Sequence, residues 1–221
     1  MFFAFLFLAE LLLLFLLSRT LTRALSYLLY HITKSKKITI YILSLLFFPG
    51  TVIHELAHAI TASILAVPVG RIEFVPVIEG DSVKLGSVQV AKTDFFRRFL
   101  IGSAPFFIGT TIVLSILYFT AQQKLFDNYL IIVLIGYVVF EIGNTMFSSK
   151  KDMEGAIELL ITVSLITLIL YFLGVRLPAI NPDLFFTQPL VKSILHNGCI
   201  FLAVPIGLDL FIIMFLTFLK R

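Results

Sequence analysis

Long apolar runs separated by short polar breaks dominate the chain. The first run extends from Phe2 to Leu17, and leucines continue at helical spacing from about Ser18 to Lys37. We therefore expect a retained membrane helix, followed by a helix that lies at the membrane surface or extends the first span. The second run, from about Ile38 to Ala66, has Pro49 and Gly50 near its middle. These two residues predict either one kinked helix or two shorter helices.

The pattern changes between about Val69 and Lys92. Two β-favouring pieces, Arg71–Ile78 and Val83–Val90, are separated by turn-forming residues at 79–82. Pro76 cannot donate a ladder hydrogen bond, so the first piece is predicted to be an edge strand. A small β-hairpin is thus expected after the second apolar stretch.

Four further apolar runs complete the pattern, and we predict one span in each: about Phe95–Ala121, Tyr129–Phe147, Gly155–Gly174 and Leu190–Leu219. A spanning helix needs roughly 20 residues, so the chain has room for about six. The predicted fold is an all-α polytopic membrane protein with a small β element between the second and third spans. We divide it into an N-terminal helix and amphipathic segment at 1–37, a core at 38–174 with its β element at 69–92, and a C-terminal loop and helix at 175–221.

Composition supports the membrane class. Of the 221 residues, 59% are hydrophobic and 14% are charged. The net charge of +4 is small and its lysines and arginines are scattered, so lipid headgroups explain them better than nucleic acid does. They divide almost equally between the two predicted membrane faces, so the positive-inside rule does not fix the orientation. Cys199 is the single cysteine, which excludes an internal disulfide.

The chemical signal lies in the second apolar run. His54, Glu55 and His58 form the pattern H-E-x-x-H. Side chains four residues apart lie one above the other on a helix, so both imidazoles can reach one ion at zinc-ligand distance. Glu55 is placed to act on water rather than to bind the metal. Ionisable groups at membrane depth are costly and usually functional, which favours a metal site over a structural polar cluster or proton relay.

A catalytic zinc site usually has three protein ligands, so a third ligand is expected. The acids nearest the required face are Glu141, Asp152, Glu154 and Glu158, while Asp209 and His196 belong to the last span. If the spans alternate in direction, the end of the second stretch and the loop that contains Asp152 lie on the same membrane face. The residues alone leave the choice among these candidates open.

The chain resembles the site-2 protease family of intramembrane zinc metalloproteases. In that family H-E-x-x-H on a core helix is followed by a β-containing loop, a further span and the motif N-x-x-P-x-x-x-L-D-G. Asn144 and Asp152 stand here at the matching separation, while Phe147, Lys151 and Met153 occupy the proline, leucine and glycine positions. The run Gly102–Pro105 is similar to the stretch that opens the family's next span. The resemblance covers roughly residues 40–170.

The resemblance implies a zinc metalloendopeptidase that hydrolyses membrane-anchored proteins or peptides. It implies that His54, His58 and Asp152 bind Zn²⁺, that Glu55 is the catalytic base, and that Asn144 contacts the substrate backbone. It also implies a multi-pass protein of the plasma membrane whose active site faces the cytoplasm. Physical reasoning adds that a substrate helix must unwind before cleavage, and the predicted edge strand could pair with it.

A different class of function remains open from the residues. His54, Glu55, His58 and Asp152 could form the ion path of a membrane transporter or channel. Many transporters are built from two related halves with broken helices in corresponding positions. The sequence shows no internal repeat, which favours the enzyme.

Overall fold

The computed structural model describes residues 2–79, 82–123, 128–147, 152, 154–172, 186 and 188–219. Its helices are α1 (Phe2–Thr33), α2 (Lys36–Leu46), α3 (Phe48–Ile64), α4 (Phe95–Gln122), α5 (Tyr129–Thr145), α6 (Glu154–Phe172) and α7 (Pro189–Leu219). Its strands are β1 (Val69–Glu73), β2 (Val77–Glu79), β3 (Ser82–Lys84) and β4 (Ser87–Val90). The predicted turn at Gly80 and Asp81, and most of the predicted loop after 174, lie outside these residues.

Several helices are suited to a membrane. Among the described residues, α1, α4 and α7 are long and apolar enough to cross a bilayer, and the bent pair α2–α3 is a fourth candidate. Helix α5 and the part of α6 from Glu158 to Phe172 are apolar but shorter. Large hydrophobic side chains are exposed over much of the surface, as expected where lipid replaces water. The expectation of a helical membrane protein is thus confirmed for three to four candidate spans.

The first two apolar stretches form three helices. The segment after Leu17 extends the first helix, so α1 is continuous to Thr33. The second stretch is divided into two helices that meet at Phe47 with a bend of 72°. Pro49 lies in the first turn of α3, where its missing N–H removes no helical hydrogen bond. The proline therefore begins a helix here rather than kinking one.

The hydrophobic core lies between α1, α4, α5 and α7. Helices α1 and α7 pack along much of their lengths. One buried cluster joins them to the end of α5 through Leu14, Met146 and Leu202, all at most 2% exposed. Another cluster joins α4 to α5 through Val113 and Val139. Because α5 takes part in both clusters, it is the central element against which α3 is placed.

The β element is a hairpin of two short ladders. β1 pairs with β4 and β2 pairs with β3, both antiparallel. The predicted continuous strand from Arg71 to Ile78 is wrong, because residues 74–76 interrupt it. Pro76 lies in this interruption, where it does not have to donate to a ladder. Gly86 lies in the corresponding break on the other side, between β3 and β4.

Local capping connects this hairpin to the helices. At the end of α3, Ala66 adopts a left-handed φ of 55°. The amide of Val67 donates to the carbonyl of Ala62 at 2.8 Å, which turns the chain toward β1. After β4, the Asp94 carboxylate accepts hydrogen bonds from the amides of Phe96 and Arg97 and caps α4. The bond from the Arg97 amide holds the pKa of Asp94 below its usual range.

Candidate metal centre

The two histidines of the H-E-x-x-H pattern lie on the same side of α3. His54 Nε2 and His58 Nε2 are 3.2 Å apart, and the ring centroids are 4.9 Å apart. His58 is buried and His54 is partly buried. The spacing of four residues therefore has the consequence expected of a helix: both imidazoles face one point.

The other nitrogen of each ring is held by a backbone carbonyl. His54 Nδ1–H donates to the carbonyl of Thr145 at 2.6 Å, and His58 Nδ1–H donates to the carbonyl of Ile101 at 2.7 Å. A carbonyl can only accept, so both Nδ1 atoms carry protons. The two rings direct their Nε2 atoms toward each other, and Nε2 is the atom that each ring has left to offer a metal.

Asp152 completes a group of three possible ligands. Its carboxylate oxygens lie 3.8 Å from His54 Nε2 and 3.5 Å from His58 Nε2. The backbone of Asp152 packs directly on α4 at Gly102, where a Cβ would collide with the Asp152 carbonyl oxygen. Gly102 is therefore what allows this segment to approach the histidines.

These donors fit a divalent cation. The candidate ligand atoms of His54, His58 and Asp152 all lie within 4.8 Å of one another. A divalent cation placed among them would have two imidazole nitrogens and a carboxylate oxygen as ligands. Ligand atoms on a tetrahedral zinc ion are about 3.3 Å apart, close to the separations found here. The group could hold a metal ion, as predicted, and the geometry does not distinguish zinc from other divalent metals.

Glu55 lies beside this group and against the hairpin. It is 8% exposed. A Cβ added to Gly86 would lie 3.2 Å from Glu55 Oε1 and 2.8 Å from Thr51 Cγ2, and the backbone amide of Val88 is directed at the same carboxylate. The start of β4 thus covers the one acid of α3, and the absence of a side chain at Gly86 makes this contact possible.

Helix α3 also packs closely on α5. A Cβ added to Gly50 would collide with Thr145 Oγ1 and would lie 2.6 Å from the Glu141 carbonyl oxygen. His54, one turn after Gly50, donates to the carbonyl of Thr145, one turn after Glu141. The two helices therefore meet in a fixed register that brings the last carbonyl of α5 to the ring of His54.

Asn144 lies outside the group of metal-ligand candidates and is 8% exposed. Its Nδ2 donates to Asp209 Oδ1 at 2.8 Å and to the carbonyl of Phe140 at 3.0 Å. Its own carbonyl accepts from Ser18 Oγ at 2.8 Å. Asn144 therefore links α5 to α1 and α7, and its Oδ1 is buried without a partner among the described residues.

The other candidate ligands are separate from the centre. Glu141 is fully buried on α5, and Asp209 is fully buried on α7. Glu158 pairs with Arg98 at 2.8 Å near the surface. The ring of His196 contacts Phe3 edge-on. The side chain of Glu154 lies outside the described residues. Within that part of the chain, Asp152 is the acid that joins the two histidines.

Sequence reasoning missed the residues that support this centre through the backbone. The carbonyls of Ile101 and Thr145, and the close approaches at Gly50, Gly86 and Gly102, involve no motif of ionisable residues. An isolated glycine in a helical run does signal a close contact. The sequence could therefore have marked Gly50 and Gly102 as contact positions, but it could not have named their partners.

No protein-family model, curated protein or solved structure matches the chain.

Proposed function

We propose that the chain is an intramembrane zinc metalloprotease that hydrolyses peptide bonds of membrane-anchored substrates. The observation that carries the proposal is the convergence of His54, His58 and Asp152, with both Nδ1 atoms already bonded to carbonyls. Glu55 lies beside this group on the same helix. Three ligand groups that fit a cation, next to a carboxylate that is not among the candidate ligands, suit metal-assisted hydrolysis.

The residues divide the chemistry between them. His54, His58 and Asp152 would hold the metal, and zinc bound there supplies Lewis-acid polarisation of water and of the scissile carbonyl. Glu55 takes a proton from the attacking water as the water oxygen bonds to the carbonyl carbon of the substrate. It then returns that proton to the amine nitrogen as the C–N bond breaks. The burial of Glu55 limits competing contact with bulk water.

The hairpin suits an unwound substrate. A transmembrane helix must open before cleavage, and its freed amide and carbonyl groups then need partners. β4 pairs on one side with β1 and with no other strand among the described residues. Gly86, just before β4, lies against Glu55, and the Val88 amide of β4 is directed at the Glu55 carboxylate. We propose that the substrate adds as a strand to the free edge of β4, beside the catalytic base.

We assign Asn144 a substrate contact through its amide oxygen. Both amide hydrogens are already donated within the protein, whereas Oδ1 is left as an acceptor for a substrate N–H. Under this assignment, Asn144→Ala raises KM while the bound metal is retained. An unchanged KM in that variant would instead leave Asn144 as a link between helices.

We further propose six spans, which adds the shorter helices α5 and α6 to the four candidates. Helix α5 has 17 residues and would cover about 25 Å, which a locally thinned bilayer accommodates. We place the protein in the plasma membrane with the metal centre toward the cytoplasm. Cysteine labelling tests this placement: a cysteine at Lys92, in a Cys199→Ser background, should react with an impermeant reagent only in inside-out vesicles.

Reconstitution tests the function directly. Purified protein in liposomes, supplied with Zn²⁺ and a library of single-span peptides, should cut at least one peptide, and a chelator should stop the reaction. Glu55→Gln should bind zinc and not cut. Zinc uptake into the liposomes without peptide cleavage would instead support the ion-path alternative.

A further inference from the structure

The hydrogen bond that orients His58 uses a carbonyl inside a helix. His58 Nδ1–H donates to the carbonyl of Ile101 at 2.7 Å, and both residues are buried. Ile101 lies well within α4. In a regular α-helix this carbonyl would accept the amide hydrogen of the residue four positions later. An interior helical carbonyl therefore ordinarily already has a backbone N–H as its partner.

The residue four positions later is Pro105, the proline inside α4. Proline has no backbone N–H, so the carbonyl of Ile101 has no helical donor. A carbonyl left alone in an apolar interior is unfavourable, because no water replaces the missing bond. His58 Nδ1–H occupies that position. The proline thus leaves an acceptor that the histidine uses.

His54 is held by an equivalent carbonyl. It bonds the carbonyl of Thr145, and Thr145 is the last residue of α5. The last carbonyls of a helix have no partner within it. Both imidazoles are thus anchored by carbonyls without a helical amide: one lies at a helix end, and the other lies four residues before a proline.

We propose that Pro105 is a positioning residue for the metal centre, which it serves by keeping the Ile101 carbonyl available to His58. The proposal rests on the metal site assumed in the proposed function and concerns a residue to which the resemblance gave no role. Pro105 acts through the backbone and contacts neither substrate nor metal. Its role is to fix the tautomer and orientation of one ligand.

Pro105→Ala is the direct test. Alanine favours the same helical conformation and restores an N–H that competes with His58 for the carbonyl of Ile101. Loss of an outer hydrogen-bond partner typically weakens metal binding about 10- to 100-fold. We expect a weakening of this size for Zn²⁺ in competition with a chromophoric chelator. The absorption spectrum of the Co²⁺-loaded variant should also change, because the ligand geometry changes.

The chain provides a matched control. Pro205 lies inside α7 and, like Pro105, is less than 2% exposed. Pro205→Ala removes the same ring from a buried helix interior. The carbonyl four residues before Pro205 does not bind His54 or His58, which use the carbonyls of Thr145 and Ile101. Its zinc affinity should remain within about threefold of the wild-type value. An equal loss of affinity in both variants would overturn the proposal, since any buried proline would then have the same effect.

A second readout does not depend on the metal. In the metal-free protein, ¹⁵N resonances should show His58 protonated at Nδ1, and Pro105→Ala should shift this tautomer balance. Wild-type zinc affinity together with an unchanged His58 tautomer in Pro105→Ala would refute the role of Pro105. If the wild-type protein binds no divalent metal, the proposed function fails, and the tautomer measurement alone then decides whether Pro105 controls His58.

Discussion

Two buried polar clusters lie in this bundle, and they differ in how their hydrogen-bonding groups are matched. In the cluster of Ser18, Asn144 and Asp209, each contact joins a donor to an acceptor, at 2.8 Å in both cases. In the cluster of His54, His58 and Asp152, three potential metal ligands converge at 3.2 to 3.8 Å, while the Nδ1–H of each ring donates outward to a carbonyl. The first cluster links three helices through the chain's own groups, whereas the second is a group that could hold a cation.

The difference indicates how to interpret polar residues in a membrane chain. Donor–acceptor pairs between helices stabilise the association of those helices. Converging lone pairs, held there by bonds on the far side of each ring, indicate a ligand. Asp152 and Asp209 are both acids in an apolar bundle, but their neighbours give them different roles. Substitutions at the two clusters should therefore produce different kinds of loss.

The largest effect is expected at Glu55. Replacing it with glutamine preserves the shape of the side chain and removes the base, so peptide hydrolysis should fall by about 10²- to 10⁴-fold. Zinc content should stay at the wild-type value, because Glu55 is not among the candidate ligands. Glu10→Gln, which changes an acid of α1, is the matched control for activity. A Glu55→Gln protein that cuts at the normal rate would contradict the assignment.

Asp152→Ala should cause the next largest effect. Removing one of three ligands should weaken zinc binding by more than about 100-fold, beyond the usual effect of an outer partner. Asp209→Ala removes an acid from the other polar cluster, that of Ser18, Asn144 and Asp209, and should leave zinc stoichiometry unchanged. Metal analysis of both purified proteins measures the contrast. Unchanged zinc binding in Asp152→Ala would move the third ligand to another residue.

Gly102→Ala should have a smaller effect on the same quantity. The added Cβ would collide with the Asp152 carbonyl oxygen, so the carboxylate must shift and zinc affinity should fall by about tenfold. Gly136→Ala is the control, since a Cβ there meets no atom within 4 Å. Calorimetric titration with zinc compares the two proteins. Equal affinities would show that the Asp152 segment adjusts without loss.

The smallest effect is expected in the cluster of Ser18, Asn144 and Asp209. Asp209→Leu leaves the amide of Asn144 without one of its two partners and should lower the free energy of unfolding by about 1 kcal/mol. The double variant Asn144→Leu with Asp209→Leu removes both groups and should recover part of that loss. Unfolding in a denaturing detergent measures the double-mutant cycle. A coupling energy near zero would show that the pair does not stabilise the bundle.

The sequence predicted those features that depend on local spacing. The four-residue separation of the histidines set both rings on one side of α3. The predicted alternation of spans placed Asp152 at the same end, and Asp152 does lie beside both rings. The apolar runs located most helices to within a few residues. The pattern after Ser18 did not decide between a surface helix and an extension of the first span. The structure shows the extension, in which α1 packs on α7.

Other features depend on contacts between distant segments. The bond from Asn144 to Asp209 joins residues 65 positions apart, and no periodicity indicates it. Pro76 was expected inside an edge strand, but the ladder breaks around it into two pairs of short strands. Pro105 predictably frees the carbonyl of Ile101, yet the side chain that uses this carbonyl comes from α3. In each case a local rule gives the opportunity, and tertiary packing selects the partner.

The close contact at Gly50 limits the paths by which a polypeptide could enter the bundle. With the α3 backbone against Thr145 and the Glu141 carbonyl, a gap wide enough for an extended peptide cannot lie between α3 and α5 at this level. A polypeptide therefore cannot pass from the lipid between α3 and α5 at this level to reach His54. Under the proposed function, the hairpin side would be the entrance, and β4 would be the first surface that a substrate meets.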